Sequence, residues 1–258
     1  MKLKLIFRII GFILTLPIIL SCVISSGAED CLHWYLKRAK GGAPGFPKEA
    51  EEISDYGAIY IDEGANELNK KIYLTFDAGY ENGNIEKILD TLKGENVPAA
   101  FFLLDNIILK NTDLVIRMAE EGHLVCNHTK NHKNLAFASQ SEISNNLAAL
   151  EMLYKEKTGR EMAKYFRFPE GKYSISALKC VNDLGYSTVF WSFAYDDWDN
   201  ARQPDESKAI KKILDNTHNG AIMLFHPTSE TNARIFPTLI KKWKSMGYSF
   251  GSLDELKK

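Results

Sequence analysis

From Lys71 to the end of the chain, short apolar runs alternate with longer stretches of helical periodicity. The runs that predict strands are Ile72–Phe76, Ala99–Leu104, Leu124–Asn127, Tyr165–Phe168, Tyr186–Trp191, Ala221–Phe225 and Tyr248–Phe250. Nearly continuous apolar strands separated by helices indicate a parallel sheet that is covered by helices on its faces. Seven such strands favour a distorted (β/α) barrel of the α/β class over a doubly wound sheet, and no GxGxxG motif follows the first strand.

The stretches between these runs carry helix signals. The clearest is a capping box formed by Ser139 and Glu142, followed by apolar residues at helical spacing and by Gly159 at the expected end. Apolar residues at helical spacing predict further helices at Ile85–Leu92, Ile210–Leu214 and Leu239–Met246.

The first 28 residues have the pattern of a secretory signal. Lys2, Lys4 and Arg8 precede an uncharged apolar stretch, and small residues then lead to a predicted cleavage site after Ala28. The alternatives are an uncleaved N-terminal membrane anchor and a lipid-modified Cys22. We therefore expect an exported, extracytoplasmic protein with a signal peptide at 1–28, an N-terminal extension at 29–70 and a catalytic domain at 71–258.

Charge and cysteine content give no support to two classes of protein. The chain has 32 Lys+Arg and 33 Asp+Glu residues, so its net charge of -1 gives no indication of nucleic-acid binding. Its four Cys residues show no CxxC spacing, which argues against a structural zinc site.

Polar side chains capable of chemistry lie within or just after the ends of five of the predicted strands. They are Asp77, His128 with His132, Arg167, Asp196 and Asp197 with Trp198, and His226. Because reactive residues of parallel barrels gather at the carboxyl ends of strands, these side chains predict one active site.

Asp77 ends an apolar strand, where partial desolvation would raise its pKa toward that of a general base. The alternative is that it caps the helix that begins near Asn84. His226 follows another apolar strand and could protonate a leaving amine if an acid such as Asp197 orients it.

His128 and His132 have the i, i+4 spacing that suits two-point coordination of zinc or a similar divalent metal. Thr129 stands where the HExxH motif has its catalytic Glu, so a base must come from elsewhere. Two His at this spacing with no further support are accidental more often than not.

Arg167 precedes a sharp turn that contains Pro169 and Gly171. A buried Arg pairs with a carboxylate, and Asp77 or Asp197 would serve. Backbone N–H groups of the turn could face an oxyanion. The alternative is a structural ion pair with no catalytic part.

These residues resemble the NodB-homology polysaccharide deacetylases, also called carbohydrate esterase family 4. Five motifs occur in the family's order between about Lys71 and Leu256: Thr75-Phe76-Asp77, His128-Thr129-x-x-His132, Arg167-x-Pro169-x-Gly171, Asp197-Trp198 and Leu224-x-His226. Within the family, the segment from Ile72 to Gly83 is similar to the delta-lactam-biosynthetic de-N-acetylases of peptidoglycan, which prepare N-acetylmuramic acid for lactam closure in spore cortex.

The resemblance implies a role for each motif. Asp77 would be the base and His226 the acid, Arg167 would hold Asp77, and Asp197 would tune the Arg167 or the His226 side. Trp198 and Leu224 would wall the acetyl methyl, the Glu170 N–H beside Gly171 would face the oxyanion, and His128 and His132 would bind the metal. The family's third ligand position is Ala78, whose methyl group cannot bind a metal.

We therefore expect a hydrolase that removes the acetyl group of N-acetylmuramic acid in peptidoglycan glycan strands. The alternatives are deacetylation of peptidoglycan N-acetylglucosamine or of chitooligosaccharides, a non-catalytic glycan-binding relative, and a glycoside hydrolase with a carboxylate pair. Contact with a membrane is expected only through an uncleaved N-terminal segment.

Overall fold

The computed structural model describes residues 30–39 and 42–256. The predicted signal peptide, and with it the alternatives of an anchor and of lipid-modified Cys22, lies outside these residues. Within them, no helix has the length and the apolar character that crossing a membrane requires.

A seven-stranded sheet forms the centre of the described part of the chain. Its strands are β2 (Lys71–Ala78), β3 (Ala99–Leu103), β4 (Leu124–Asn127), β5 (Tyr165–Phe166), β7 (Ser187–Thr188), β8 (Ala221–Phe225) and β9 (Ser249–Phe250). Every predicted strand is therefore confirmed, although β5 and β7 are shorter than predicted. The two remaining strands, β1 (Leu32–His33) and β6 (Lys172–Tyr173), form a separate antiparallel pair.

All neighbouring strands of the sheet run parallel, in the order β7-β5-β4-β3-β2-β8, with β9 beside the start of β2. Beyond β7, Phe193 forms a parallel bridge to Met223 of β8, so the two ends of the strand order meet. The expected α/β fold with a distorted parallel barrel is confirmed.

Eight α-helices are described in residues 30–39 and 42–256: α1 (Ala50–Ser54), α2 (Ile85–Glu95), α3 (Asp105–Lys110), α4 (Thr112–Glu120), α5 (Gln140–Thr158), α6 (Ile175–Asp183), α7 (Glu206–Asp215) and α8 (Glu230–Ser245). The predicted capping box at the start of α5 is confirmed, since Ser139 and Glu142 cap each other's backbone N–H groups. Gly159 ends α5 in the left-handed conformation, as expected.

Strand alternation separates the core into layers. On β2, Ile72, Leu74, Phe76 and Ala78 join an outer cluster with residues of α2 and α8. Tyr73 joins an inner cluster with Phe102, and Thr75 and Asp77 share its face of the strand because successive side chains alternate. Asp77 therefore lies on the inner side of the barrel, at the carboxyl end of its strand.

The segment before β2 packs onto the barrel. Ile59 bridges in parallel to Val189 and Ile61 bridges to Ala221, so this segment joins the two ends of the strand order. Trp34 is 5% exposed and stacks on Phe190, with ring centroids 4.6 Å apart. The N-terminal extension thus shares a hydrophobic core with α5 and α6.

Candidate active site

Five strands of the barrel bring the predicted site residues to one end. Asp77 is the penultimate residue of β2, His128 follows β4 directly, Arg167 follows β5, and His226 follows β8. Asp197 lies on the segment after β7 and reaches His226. The alternative role of Asp77 as a helix cap is wrong, since Asn84 is the N-cap residue of α2.

Arg167 anchors Asp77. Its Nη1 donates to Asp77 Oδ1 at 2.8 Å, and its Nη2 donates to Thr75 Oγ1 at 2.9 Å. Nε donates to the carbonyl of Val189 at 2.9 Å, and the side chain is fully buried with its guanidinium 4.1 Å from the Phe102 ring centroid. Of the two partners left open by the sequence, Arg167 therefore takes Asp77.

The pairing reverses the pKa shift expected for Asp77. Burial by itself raises the pKa, but the charge and the hydrogen bond of Arg167 outweigh burial, and the pKa is lowered below its ordinary value. The expectation of a raised pKa is wrong because a buried guanidinium lies at hydrogen-bond distance. Asp77 is thus ionised and ready to accept a proton at neutral pH.

His128 presents one ring nitrogen to this carboxylate. Its Nδ1–H donates to the carbonyl of Arg167 at 2.9 Å, which leaves Nε2 3.5 Å from Asp77 Oδ2. Burial lowers the pKa of His128 to about 4, although Asp77 opposes the shift. The imidazole is therefore neutral, with the Nε2 lone pair directed into the site.

The turn after β4 brings His132 beside His128, with ring centroids 5.1 Å apart. Thr129 and His132 adopt the left-handed conformation, with φ of 68° and 59°. This conformation is rare for a β-branched residue, and strain of this kind concentrates at functional sites. The Thr129 N–H donates to Asn127 Oδ1 at 3.0 Å, which holds the turn.

The donor set for a divalent metal is incomplete. His128 and His132 offer two imidazoles, and no group of three His, Cys, Asp or Glu side chains suited to a metal occurs in residues 30–39 and 42–256. Ala78 is 1% exposed and packs in the outer cluster. The residues present do not fit a metal held by three protein ligands.

His226 forms a second acid–base pair with Asp197. Its Nδ1–H donates to Asp197 Oδ1 at 2.7 Å, and its backbone N–H donates to Asp197 Oδ2 at 2.9 Å. Burial lowers the pKa of His226, but the hydrogen bond and the charge of Asp197 outweigh it, and the pKa is raised. Asp197 thus serves His226, which settles the choice left open between His226 and Arg167.

The turn after Arg167 is left-handed at two successive residues, Glu170 with φ of 58° and Gly171 with φ of 65°. A Cβ at position 171 would lie 2.9 Å from the Trp191 ring and 3.0 Å from Trp34 Cβ, so only glycine fits. The Gly171 N–H closes the turn by donating to the carbonyl of Phe168 at 3.0 Å, so the Glu170 N–H is the group of this turn that remains a candidate for an oxyanion site.

The two residues expected to wall the acetyl group differ in exposure. Leu224 is 5% exposed and lies opposite Thr75, on the inner face that carries Asp77. Trp198 is 59% exposed and follows the buried Asp197 directly. The contact of Trp198 with an acetyl methyl stays a prediction.

Three residues near the site were missed by the sequence analysis. Trp191 packs on Gly171, Asn127 holds the turn between the histidines, and Asn232 Nδ2 donates to Asp197 Oδ2 at 2.6 Å. The first two lie in predicted strands, whose apolar pattern does not mark them as residues of a site. No pattern in the sequence indicates the role of Asn232.

Comparison with known proteins gives consistent matches. Residues 64–189 match the family profile described as "Polysaccharide deacetylase". The peptidoglycan-N-acetylmuramic acid deacetylase PdaA of Bacillus subtilis is 35% identical over 88% of this chain and 86% of its own length. Its solved structure, described as a family 4 carbohydrate esterase, has a TM-score of 0.83 and covers 88% of this chain and 97% of that one. The peptidoglycan-N-acetylglucosamine deacetylase PgdA of Listeria monocytogenes is 34% identical over 73% of this chain and 39% of its own length.

Proposed function

The chain belongs to the polysaccharide deacetylase family, and from this premise we propose that it removes the acetyl group of N-acetylmuramic acid in peptidoglycan glycan strands. The observation that carries the proposal is the presence of a candidate base and a candidate acid at one end of the barrel. Asp77 is held by Arg167, and His226 is held by Asp197. Amide hydrolysis needs one group that accepts a proton and another that donates one.

In the proposed reaction, Asp77 accepts a proton from a water molecule as its oxygen attacks the acetyl carbonyl carbon. Arg167 fixes the direction of the carboxylate. The lowered pKa makes Asp77 a weak base, so its contribution depends on exact placement beside the water.

The negative charge that develops on the carbonyl oxygen would be met by the backbone N–H of Glu170, because the Gly171 N–H already donates to the carbonyl of Phe168 at 3.0 Å. This turn packs on the Trp191 ring and on Cβ of Trp34, whose backbone N–H donates to the carbonyl of Gly171 at 2.8 Å, so it needs little rearrangement during the reaction. Leu224 would lie beside the acetyl methyl on the inner face of the barrel.

His226 would complete the reaction by donating its Nε2 proton to the leaving nitrogen as the C–N bond breaks. The products are acetate and the free amine of the sugar. Its raised pKa favours the protonated imidazole, and the Nδ1–H bond to Asp197 leaves Nε2 to face the substrate.

We propose that a divalent cation such as zinc binds only weakly, with His128 and His132 as its protein ligands. The incomplete donor set supports no step that depends on it. Each step above therefore uses groups of the protein alone.

Two finer proposals concern the biological setting. The relative PdaA and the predicted signal at 1–28 support an exported enzyme that acts on extracytoplasmic peptidoglycan. The product amine of muramic acid could close on the lactyl carboxyl of the same sugar, which supports a place before delta-lactam formation in spore cortex.

The second candidate substrate is N-acetylglucosamine in the same glycan, which is favoured by the similarity to PgdA. The test is incubation of the protein with purified glycan strands, followed by muramidase digestion and mass spectrometry of the fragments. We expect acetyl loss on muramic acid and none with Asp77→Asn. Acetyl loss only on glucosamine would favour the second candidate, and binding without acetate release would favour a non-catalytic glycan-binding protein.

A further inference from the structure

A buried amide lies behind the acid–base pair of His226 and Asp197. Asn232 is fully buried in the first turn of α8, and its Nδ2 donates to Asp197 Oδ2 at 2.6 Å. The same nitrogen donates to the backbone carbonyl of His226 at 3.2 Å. The hydroxyl of Tyr195, which is 6% exposed, donates to Asn232 Oδ1 on the far side.

This arrangement fixes which way the amide points. An amide has one accepting and one donating end, and Tyr195 occupies the accepting end. Burial, followed by the charge of Asp197, raises the pKa of Tyr195, so its hydroxyl keeps its proton. The NH₂ group of Asn232 faces Asp197 on the other side, together with the backbone carbonyl of His226, which can only accept.

The amide in turn fixes the carboxylate. Asp197 is fully buried, and both of its oxygens serve His226, one through Nδ1 and the other through the backbone N–H. A carboxylate that rotated out of this plane would lose the Nδ1 bond, and the imidazole would lose its orientation and its proton affinity together.

We propose that Asn232 is a positioning residue for the general acid, and that Tyr195 sets the orientation of its amide. The inference rests on the proposed deacetylase function, because it describes how the acid His226 is held. Three charged groups act on His226: Asp197 after β7, Asp77 on β2 and Arg167 after β5. Of these three groups, Asp197 is the only one on which Asn232 and Tyr195 act.

The test compares Asn232→Ala and Tyr195→Phe with the control Asn84→Ala. Asn84 is also a buried Asn, 5% exposed, and its Nδ2 donates to the carbonyl of Thr228 at 3.0 Å. We expect Asn232→Ala to lower kcat about tenfold or more with KM nearly unchanged, because acid catalysis contributes roughly 10²–10⁴-fold. Tyr195→Phe should show a smaller loss of the same kind, and Asn84→Ala should keep the kcat of the wild type.

The pH profile separates positioning from a purely structural role. In Asn232→Ala the alkaline limb of kcat/KM should move to lower pH by about one unit, because the carboxylate that raises the pKa of His226 is no longer held. A loss of kcat with the alkaline limb in its wild-type place would overturn the inference.

A titration of His226 by NMR, without substrate, makes the result independent of activity. We expect its pKa to be lower in Asn232→Ala than in the wild type and unchanged in Asn84→Ala. An unchanged pKa in Asn232→Ala would overturn the inference even if the enzyme is active. A wild-type protein that releases no acetate would contradict the proposed function instead, and the titration would still decide the role of Asn232.

Discussion

Arg167 holds Asp77 from two sides: its Nη1 donates to the carboxylate at 2.8 Å, and its backbone carbonyl fixes His128, whose Nε2 lies 3.5 Å from the other carboxylate oxygen. One residue thus sets both the charge and the surroundings of the proposed base. Changes at this position should therefore alter the chemistry of the site as well as the stability of the fold.

Arg167→Lys is the first test of this relationship. A lysine cannot reproduce the separate bonds to Asp77, Thr75 and Val189, so we expect unfolding to become easier by about 3 kcal/mol. Deacetylation should fall, and the acid limb of the pH profile should move to higher pH because the charge that lowers the pKa of Asp77 is displaced. Urea unfolding and acetate release measure both effects.

The control is Arg160→Lys, which changes a surface Arg that pairs with Glu120 at 3.2 Å. Exposed pairs contribute about 0–1 kcal/mol, so stability and activity should stay near those of the wild type. An acid limb that is the same in Arg167→Lys and in the wild type would contradict the proposed link between Arg167 and the base.

The pH dependence of the wild type follows from two opposite shifts. Asp77 has to be ionised and its pKa is lowered, so activity should persist below the pH at which an ordinary aspartate becomes protonated. His226 has to be protonated and its pKa is raised, so the alkaline limb should lie above the pH of an ordinary histidine. Initial rates across a pH series check both limbs, and an alkaline limb below that of a free histidine would exclude His226 as the acid.

Removal of metal ions tests whether the reaction depends on protein groups alone. His128 and His132 offer two ligands where structural and catalytic zinc sites use three or four from the protein. Dialysis against EDTA is therefore expected to leave most of the activity in place. Activity that disappears in EDTA and returns with added zinc would contradict this expectation and would assign a catalytic metal to the two histidines.

Trp34→Ala tests the attachment of the N-terminal extension. Trp34 stacks on Phe190 and donates from Nε1 to the carbonyl of Trp191 at 2.8 Å. Removal of a buried Trp side chain costs about 3–5 kcal/mol of stability. The neighbouring Tyr35 is 46% exposed, so Tyr35→Ala should change stability by no more than about 0.5 kcal/mol. Equal urea midpoints for the two variants would show that the extension does not stabilise the barrel.

The sequence was sufficient for the strands because each one is a short apolar run with polar residues at its end. It was less informative for α3, α4 and α6, where no expected helix was placed although Asp105–Lys110, Thr112–Glu120 and Ile175–Asp183 are helical. Helices this short owe much of their stability to packing on the sheet, and their own sequences carry a weak signal.

Side-chain pairings in the site could be predicted only as alternatives. Arg167 and His226 each needed a carboxylate, but Asp77 and Asp197 were both available in the sequence. Which carboxylate each residue contacts depends on the strand order. That order puts β2 within reach of Arg167, and it brings the segment after β7 against β8. The direction of the Asp77 pKa was missed for the same reason, since burial and a buried cation have opposite effects.

The contacts of Ile59 and Ile61 determine when the barrel can close during folding. Ile59 bridges to Val189 and Ile61 to Ala221, so a segment near the start of the chain needs partners that are synthesised much later. Contacts so far apart in sequence form slowly, and a chain that emerges N-terminus first would hold its Trp34 surface uncovered until Phe190 and Trp191 arrive. Closure of the barrel is therefore a late event. In a chain truncated before β8 the barrel should stay open, and the chain should be prone to aggregation.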